Sequence, residues 1–329
     1  MAERILVTGG AGYIGSVVVA QLLERGYEPV VYDDLSHGHR AALPSGAKLV
    51  IGDIGDRAAL DRAFAEHQPQ AVMHFAAFIE AGESMQHPER FFRNNTANAL
   101  TLLEAMLAHR VRRLVFSSTA ALYGTPEKTP IEENAPLHPT NAYGESKLLV
   151  EQMLEWFNRI HGLRHACLRY FNAAGAAGEQ GEDHHPESHL IPLALQVALG
   201  ARQELAIFGT DYPTPDGTCV RDYVHVADLA SAHLLVLEAL REKEKLIYNL
   251  GNGRGFSVRE VIETVGKVTG QAIPVRESPR RPGDPAVLVA SSEKIKKELG
   301  WNPRYADLES MVRSAWEWRK TYRDGYGKN

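Results

Sequence analysis

The chain has 329 residues, of which 44% are hydrophobic and 23% charged, a composition and length that suit one large α/β domain with an appended lobe. A formal net charge of −5 without a basic block argues against a nucleic-acid partner, and every apolar run is too short to span a membrane. Two cysteines without a Cys-x-x-Cys unit disfavour disulfide scaffolds, and a strand pattern that starts at residue 4 leaves no room for a signal peptide, so we expect a cytoplasmic protein.

Strand and helix patterns alternate through the first half of the chain. Strand-like runs occupy 4–8, 29–33, 48–52, 70–75, 112–118 and 165–170, and helix-like runs lie between them at about 12–25, 56–67, 89–109 and 142–161. This alternation predicts a Rossmann-like, doubly wound parallel sheet with helices on both faces. The pattern changes after Asn172, so we expect a Rossmann domain over 1–172 and a smaller C-terminal α/β lobe over 173–329, with 218–250 partly returning to the first domain.

A glycine-rich turn follows the first strand. Glycines at this spacing allow a tight turn, close approach of a pyrophosphate to the backbone, and close packing of helix on sheet. The second strand ends in two aspartates, and an acid there binds the ribose hydroxyls of an adenosine while repelling a 2′-phosphate. The sequence therefore predicts NAD rather than NADP, held by Gly9, Gly12, Tyr13, Ile14, Gly15, Asp33 and Asp34.

The ends of the later strands extend this predicted site, because strand carboxyl ends face the ligand crevice in doubly wound sheets. Asp53 has two open interpretations, contact with the adenine amine or capping of the next helix. Small residues after the fourth strand let a dinucleotide lie close to the backbone. Asparagine is a poor interior helix former, so Asn94, early in the next helical stretch, is expected to make a polar contact. The added cofactor residues are Asp53, Ile54, Phe75, Ala76, Ala77, Asn94, Ser117, Tyr170 and Phe171.

Tyr143 and Lys147 form the predicted acid–base pair. They follow turn and N-cap residues at 139–141 and lie four residues apart, so they share one face of a helix. A free tyrosine ionises near pH ~10, whereas a nearby ammonium and a cationic cofactor favour the phenolate. The pair is therefore suited to proton transfer from an alcohol, with Thr119 at the end of the fifth strand beside it.

The glycine fingerprint, the Ser117–Thr119 hydroxyls and Tyr143-x-x-x-Lys147 together resemble the extended short-chain dehydrogenase/reductase family. Later segments are similar to its nucleotide-sugar epimerases, in register from about residue 4 to about 310: 168–172, 206–209, 216–226 and 281–284. The resemblance implies tightly held NAD, a UDP-sugar substrate and inversion at C4 through a transient 4-keto sugar. It also implies a homodimer, built from the helices at about 90–109 and 142–161.

The resemblance also implies a role for each matching residue. Thr119 orients the sugar, Tyr143 is base and acid, and Lys147 holds the nicotinamide ribose and lowers the pKa of Tyr143. Two arginines pair with the pyrophosphate, a bidentate task that suits guanidinium. The implied substrate set is Thr119, Tyr143, Asn172, His189, Leu190, Ala206, Ile207, Phe208, Arg221, Arg281, Asp284 and Leu288.

Two departures from the family pattern stand out. Ile79 occupies a place where some members have a lysine near the cofactor, and His189 one where some have an asparagine at the diphosphate. His189 follows His184 and His185, but without a convincing carboxylate or cysteine set we expect no metal. Leu288, which takes a sugar-pocket position, is apolar and smaller than tyrosine, so we expect N-acetylated sugars to be poor substrates.

Three alternatives remain beside this interpretation. One is a related epimerase that acts on UDP-N-acetylhexosamines or UDP-pentoses. Another is a 4,6-dehydratase or a decarboxylase. Family members with these activities carry carboxylate residues beside the strand-end threonine, where this chain has Ala120-Ala121. The third is a non-catalytic NAD-binding sensor, which typically loses the Tyr–Lys pair that is present here.

Overall fold

The computed structural model describes residues 2–281 and 284–327. Its strands are β1 Arg4–Thr8, β2 Glu28–Asp33, β3 Lys48–Ile51, β4 Ala71–His74, β5 Arg113–Thr119, β6 Arg164–Tyr170, β7 Asn172–Ala174, β8 Leu205–Phe208, β9 Val220–His225, β10 Lys245–Leu250, β11 Gly255–Ser257, β12 Val275–Ser278 and β13 Val287–Leu288. Seven of them form one parallel sheet in the order β10-β6-β5-β4-β1-β2-β3. The prediction of a doubly wound parallel sheet is thus confirmed.

The α-helices are α1 Tyr13–Glu24, α2 Arg57–His67, α3 Ala81–Ser84, α4 Pro88–Phe91, α5 Asn98–Ala108, α6 Ala142–His161, α7 Leu190–Ala198, α8 Val226–Ala239, α9 Val258–Thr269, α10 Glu293–Leu299 and α11 Leu308–Thr321. Short 3-10 turns occupy Arg40–Ala42 and Ala120–Tyr123. Through the described ranges, we find no helix with the length and apolarity that crossing a bilayer requires.

The large sheet is buried on both faces, which explains why its strands read as continuous apolar runs. Ile5 and Val7 on β1 point to one face, where α1 and α8 pack. Leu6, between them, points to the other face and joins the core formed with α2, α5 and α6. Alternating side chains of one strand therefore feed two separate cores.

The predicted helix at 89–109 is not one regular helix. It consists of α4, a π-helical turn over Phe92–Ala97, and α5. Within the turn, the Asn95 side chain accepts a hydrogen bond from the Phe78 amide (2.9 Å) and donates to the Phe78 carbonyl (3.0 Å) and the Ser146 hydroxyl (3.1 Å). A polar residue that bonds outside its own helix thus coincides with the π-turn, a feature frequent at functional sites.

The smaller lobe contains two further sheets. One has the order β11-β9-β13, with β7 also paired to β9, and the other pairs β12 with β8. Helices α7, α9 and α11 close its core. Of the segment 218–250, β9 belongs to this lobe's sheet, whereas α8 packs on α1 and β10 pairs with β6.

Candidate active site

A pocket opens at the carboxyl ends of the central strands, and the glycine-rich turn after β1 forms its floor. A Cβ on Gly15 would lie 2.2 Å from the Gly9 carbonyl oxygen, so a side chain at 15 would force the turn apart. Gly9 has φ +70, and its Cβ would lie 2.4 Å from the Ala76 backbone nitrogen. The turn therefore presents bare backbone to the pocket, the surface that a dinucleotide pyrophosphate needs.

The two aspartates at the end of β2, Asp33 and Asp34, differ in their surroundings. Asp33 is buried, and its carboxylate accepts hydrogen bonds from the Ala11 and Leu35 amides, both at 2.9 Å. Burial raises the pKa of Asp33, while the two backbone donors oppose that rise. Asp34 is exposed and accepts from the Ser36 amide at 2.9 Å. Asp33 thus holds the glycine-rich turn in place while it lines the pocket.

The structure separates the two interpretations of Asp53. The helix-capping interpretation is wrong, because the N-cap of α2 is Asp56, whose side chain accepts from the Ala59 amide at 3.0 Å. Asp53 instead accepts from the Gly55 amide at 2.7 Å and lines the pocket.

The residues predicted to transfer the proton lie on β5 and α6. Helix α6 begins after Asn141, which caps it by accepting from the Gly144 amide at 2.8 Å. One turn further, Lys147 is only 2% exposed, and its ammonium donates to the Ser117 carbonyl at 3.0 Å. The Thr119 hydroxyl accepts from the Ala121 amide at 3.1 Å, which leaves its own proton to be donated towards the pocket.

Burial controls the ionisation of this pair. It raises the pKa of Tyr143 to about 12, opposed by the hydrogen bond from Thr119 and reinforced by the Glu80 carboxylate. It also lowers the pKa of Lys147 to about 7. Desolvation thus disfavours both charged forms, so a phenolate at Tyr143 needs the further positive charge that a bound cationic cofactor supplies.

A buried ion-pair network supports the pocket wall from behind. The Arg169 guanidinium on β6 donates twice to Glu151 on α6, at 3.0 and 2.6 Å. The same carboxylate accepts from the Ser118 hydroxyl at 2.6 Å, and Arg169 also donates to the Tyr123 hydroxyl at 2.9 Å. The network joins β5, β6 and α6 directly beneath Ser117 and Thr119.

The pocket brings together every residue of the predicted cofactor set, from Gly9 to Phe171, and also Thr119, Asn172 and His189 of the predicted substrate set. Ile79, the departure noted in the sequence, lines it too. Sequence reasoning did not assign the remaining lining residues: Tyr32, Ser36, His37, Gly38, Gly52, Phe78, Glu80, Ser118, Ala173, Glu182 and His184. Ser36–Gly38 follow the two aspartates at the end of β2 within a few residues, a signal by which part of this set could have been found.

The other predicted substrate residues lie in the smaller lobe. Arg221 on β9 forms an ion pair with Asp284, and the Arg281 guanidinium carbon lies 4.0 Å from the centre of the Phe208 ring. Ile207 is 1% exposed, because its side chain packs in the core of the smaller lobe. Leu190 and Ala206 are half-buried on α7 and β8. Pro282 and Gly283 of the Arg-x-Gly-Asp segment lie outside the described residues.

The three histidines before α7 do not act as one group. His184 and His189 converge with two carboxylates, Glu182 and Glu187, whereas the His185 side chain is 69% exposed and faces Asp183. The sequence interpretation that these histidines lack a convincing carboxylate set is therefore wrong. Burial opposes the charged form of His189, but the two carboxylates outweigh it and raise its pKa well above the usual value.

Taken together, the parallel sheet, the glycine cradle and the Thr119–Tyr143–Lys147 constellation define a Rossmann-type enzyme that binds a dinucleotide and moves a proton. A family model described as NAD dependent epimerase/dehydratase matches residues 5–251. The chain belongs to this family.

Similar proteins cover almost the whole chain. A UDP-glucose 4-epimerase of Halalkalibacterium halodurans is 54% identical over 98% of this chain and 97% of its own length. A solved UDP-glucose 4-epimerase superposes with a TM-score of 0.96 at 50% identity, covering 99% of this chain and 100% of its own. The Brucella ovis UDP-glucose 4-epimerase, solved in complex with NAD, has a TM-score of 0.93 at 45% identity and covers 96% and 98%.

Proposed function

We propose that the protein is an isomerase that interconverts UDP-glucose and UDP-galactose, with NAD as its cofactor, in galactose metabolism. The observation that carries the proposal is the meeting of Thr119, Tyr143 and Lys147 with the glycine cradle in one pocket. The full-length similarity to UDP-glucose 4-epimerases supports the choice of substrate.

The NAD fits the site, because the cradle tolerates no side chain and Asp33 is fixed by backbone donors. When bound, this cofactor supplies the hydride acceptor and donor and a positive charge that favours a phenolate. Tyr143 removes the proton of the sugar 4-hydroxyl as the C4 hydride leaves, and Thr119 orients that hydroxyl. Lys147, fixed on the Ser117 carbonyl, binds the nicotinamide ribose. After the 4-keto sugar has rotated to present its other face, Tyr143 returns the proton to the oxygen as the hydride returns to C4.

The proposed division of labour follows the fold. The large sheet and its glycine-rich turn hold the dinucleotide, and the smaller lobe holds the UDP part through Arg221, Arg281 and Asp284. Firm binding of the nucleotide leaves the sugar free to present either face, which inversion at C4 requires.

The deciding experiment is incubation with UDP-galactose and no added cofactor, followed by chromatography of the products. We expect UDP-glucose to form, because the protein is expected to carry NAD from purification. A 4-keto-6-deoxy product would instead indicate a dehydratase, with the pocket residue Glu80 as the candidate extra base. If no product forms, the remaining interpretation is a non-catalytic NAD-binding sensor.

Leu288 is the proposed gate for the sugar. It lies opposite Arg221 in the β13–β9 pairing and packs with Phe171 against the cluster of Ala120, Tyr123 and Ile131. Because one steric mismatch is worth roughly 1–3 kcal/mol, we expect wild type to favour UDP-glucose and UDP-galactose. Leu288→Cys should raise kcat/KM for UDP-N-acetylglucosamine about tenfold or more, measured with both substrate pairs.

The neighbouring Val287 offers a matched control. Successive side chains on a strand point to opposite faces, so Val287→Cys should leave the substrate preference unchanged. Equal turnover of both substrate pairs by the wild type would show that Leu288 is not the gate.

We also propose a homodimer and a cytoplasmic location. Leu100 on α5 and Trp156 and Ile160 on α6 are large apolar side chains exposed by 38%, 60% and 66%, on the two helices expected to form the dimer bundle. Light scattering that reports a monomer at micromolar concentration would reject the dimer. Cys167 and Cys219 are buried free thiols, which supports a reducing compartment.

A further inference from the structure

We propose that Glu182, His184, Glu187 and His189 form a binding site for a divalent transition-metal ion, with Zn²⁺ the best match. All four come from one eight-residue segment that ends at the start of α7. Their candidate ligand atoms all lie within 4.8 Å of one another. The site does not depend on the proposed epimerase activity, since it is defined by metal ligands alone.

The spacing of the ligand atoms matches a four-coordinate site. Glu182 Oε1 lies 2.8 Å from Nδ1 of His189 and 3.3 Å from Nδ1 of His184. Glu187 places its oxygens 3.2 Å from Nδ1 of His189 and 3.9 Å from Nδ1 of His184. Ligands held about 2.0–2.2 Å from a tetrahedral zinc stand about 3.3 Å apart, so these distances need only small adjustments.

Ion pairing leaves one buried nitrogen of this cluster without a hydrogen bond in the part of the chain that the structure describes. Nδ1 of His184 is buried and has no hydrogen-bond partner among the described residues, although it points at the two carboxylates. The carboxylate side chains are only 9% and 6% exposed, whereas the His189 side chain is 37% exposed. A buried polar atom without a partner calls for an explanation, and an ion at the centre supplies one.

The carboxylate of Glu187 is already oriented. Its Oε1 accepts hydrogen bonds from the backbone amides of Ser188 (2.7 Å) and His189 (2.8 Å). Hydrogen bonds that fix a ligating carboxylate are a regular part of metal sites, because they hold the ligand in place before the ion arrives.

The ligand set narrows the choice of ion. Two imidazoles and two carboxylates suit Zn²⁺, Co²⁺ and other first-row divalent ions, whereas Mg²⁺ and Ca²⁺ prefer oxygen ligands only. No thiolate is present in the set, so a site selective for Cu⁺ is disfavoured.

Metal binding would stabilise the part of the pocket wall that the segment 182–189 forms. His184 and His189 both line it, and the His184 ring makes an edge contact with Tyr13 of the glycine-rich turn at 6.3 Å between ring centres. If Nδ1 of His189 coordinates the ion, the Nε2–H of the same ring remains available as a hydrogen-bond donor. The ion would thus fix the segment 182–189 beside the glycine-rich turn.

The test is a Co²⁺ titration of full-length protein first stripped with a chelator and dialysed. We expect visible absorption bands of a four-coordinate cobalt site, saturating at about one equivalent per chain and bleached by Zn²⁺. Glu187→Gln and His184→Asn should abolish these bands. His185→Asn, which alters the exposed neighbouring histidine, should retain them, and circular dichroism checks that each variant is folded.

The proposal is overturned if stripped wild type gives no such bands at micromolar Co²⁺, or if folded His184→Asn and Glu187→Gln bind Co²⁺ like wild type. In the first case the cluster is an ion-pair network only. Should both variants fail to fold, the wild-type titration and the raised Tm that Zn²⁺ should produce decide the question by themselves.

Discussion

Tyr143→Phe is expected to lower kcat by about 10² or more, the largest catalytic effect among our predictions. The substitution removes only the phenolic oxygen, which takes and returns the proton of the sugar hydroxyl in the proposed reaction. The aromatic ring of residue 143 on α6 is retained, so the pocket keeps its shape. Steady-state turnover of UDP-galactose measures the effect.

UDP binding should persist in this variant, because the residues proposed to bind the nucleotide lie in the smaller lobe. Calorimetric titration with UDP therefore separates lost chemistry from lost binding. Tyr322→Phe, at the end of α11 and outside the pocket, is the control and should turn over normally. Near-normal activity of Tyr143→Phe would remove Tyr143 from the mechanism.

Glu151→Ala is expected to lower the free energy of unfolding by about 3–5 kcal/mol, the largest stability effect among our predictions. The change leaves the Arg169 guanidinium buried without its carboxylate, and it also removes the acceptor of the Ser118 hydroxyl. An uncompensated buried charge costs far more than the pair contributes. Urea unfolding followed by circular dichroism measures the loss.

Glu155→Ala provides the matched comparison one turn further along α6. Glu155 pairs with Arg159 and Lys245, whose side chains are 61% and 43% exposed. Because solvent screens such pairs, we expect a loss of about 0–1 kcal/mol. Equal losses in the two variants would contradict the special role of the buried network.

The sequence was most informative where the chemistry is local. The close approach of Gly15 to Gly9 follows from a fixed spacing, and the separation of Tyr143 and Lys147 follows from helical geometry. The position of Asp33 follows from the end of a strand in a parallel sheet. Each of these needs only neighbouring residues and a regular element.

Other features depended on tertiary structure and stayed out of reach. Glu182 and Glu187 lie in a segment without periodicity, so nothing in the sequence indicates that they turn towards the two histidines. The π-turn coincides with hydrogen bonds between Asn95 and Phe78, seventeen residues away in the sequence. The pKa of Tyr143 is governed by burial, which is a property of the folded pocket rather than of the Tyr–Lys spacing.

The strand β10 has a consequence for synthesis of the chain. It pairs with β6 over six positions, from Lys245 opposite His165 to Leu250 opposite Tyr170. While the chain is on the ribosome, the growing sheet therefore keeps an open edge at β6, and α1 lacks the cover of α8, until more than two hundred residues have emerged. Unpaired edges of this kind recruit other strands. Splitting the gene after residue 172 should thus give an aggregation-prone first half that needs the second half during synthesis.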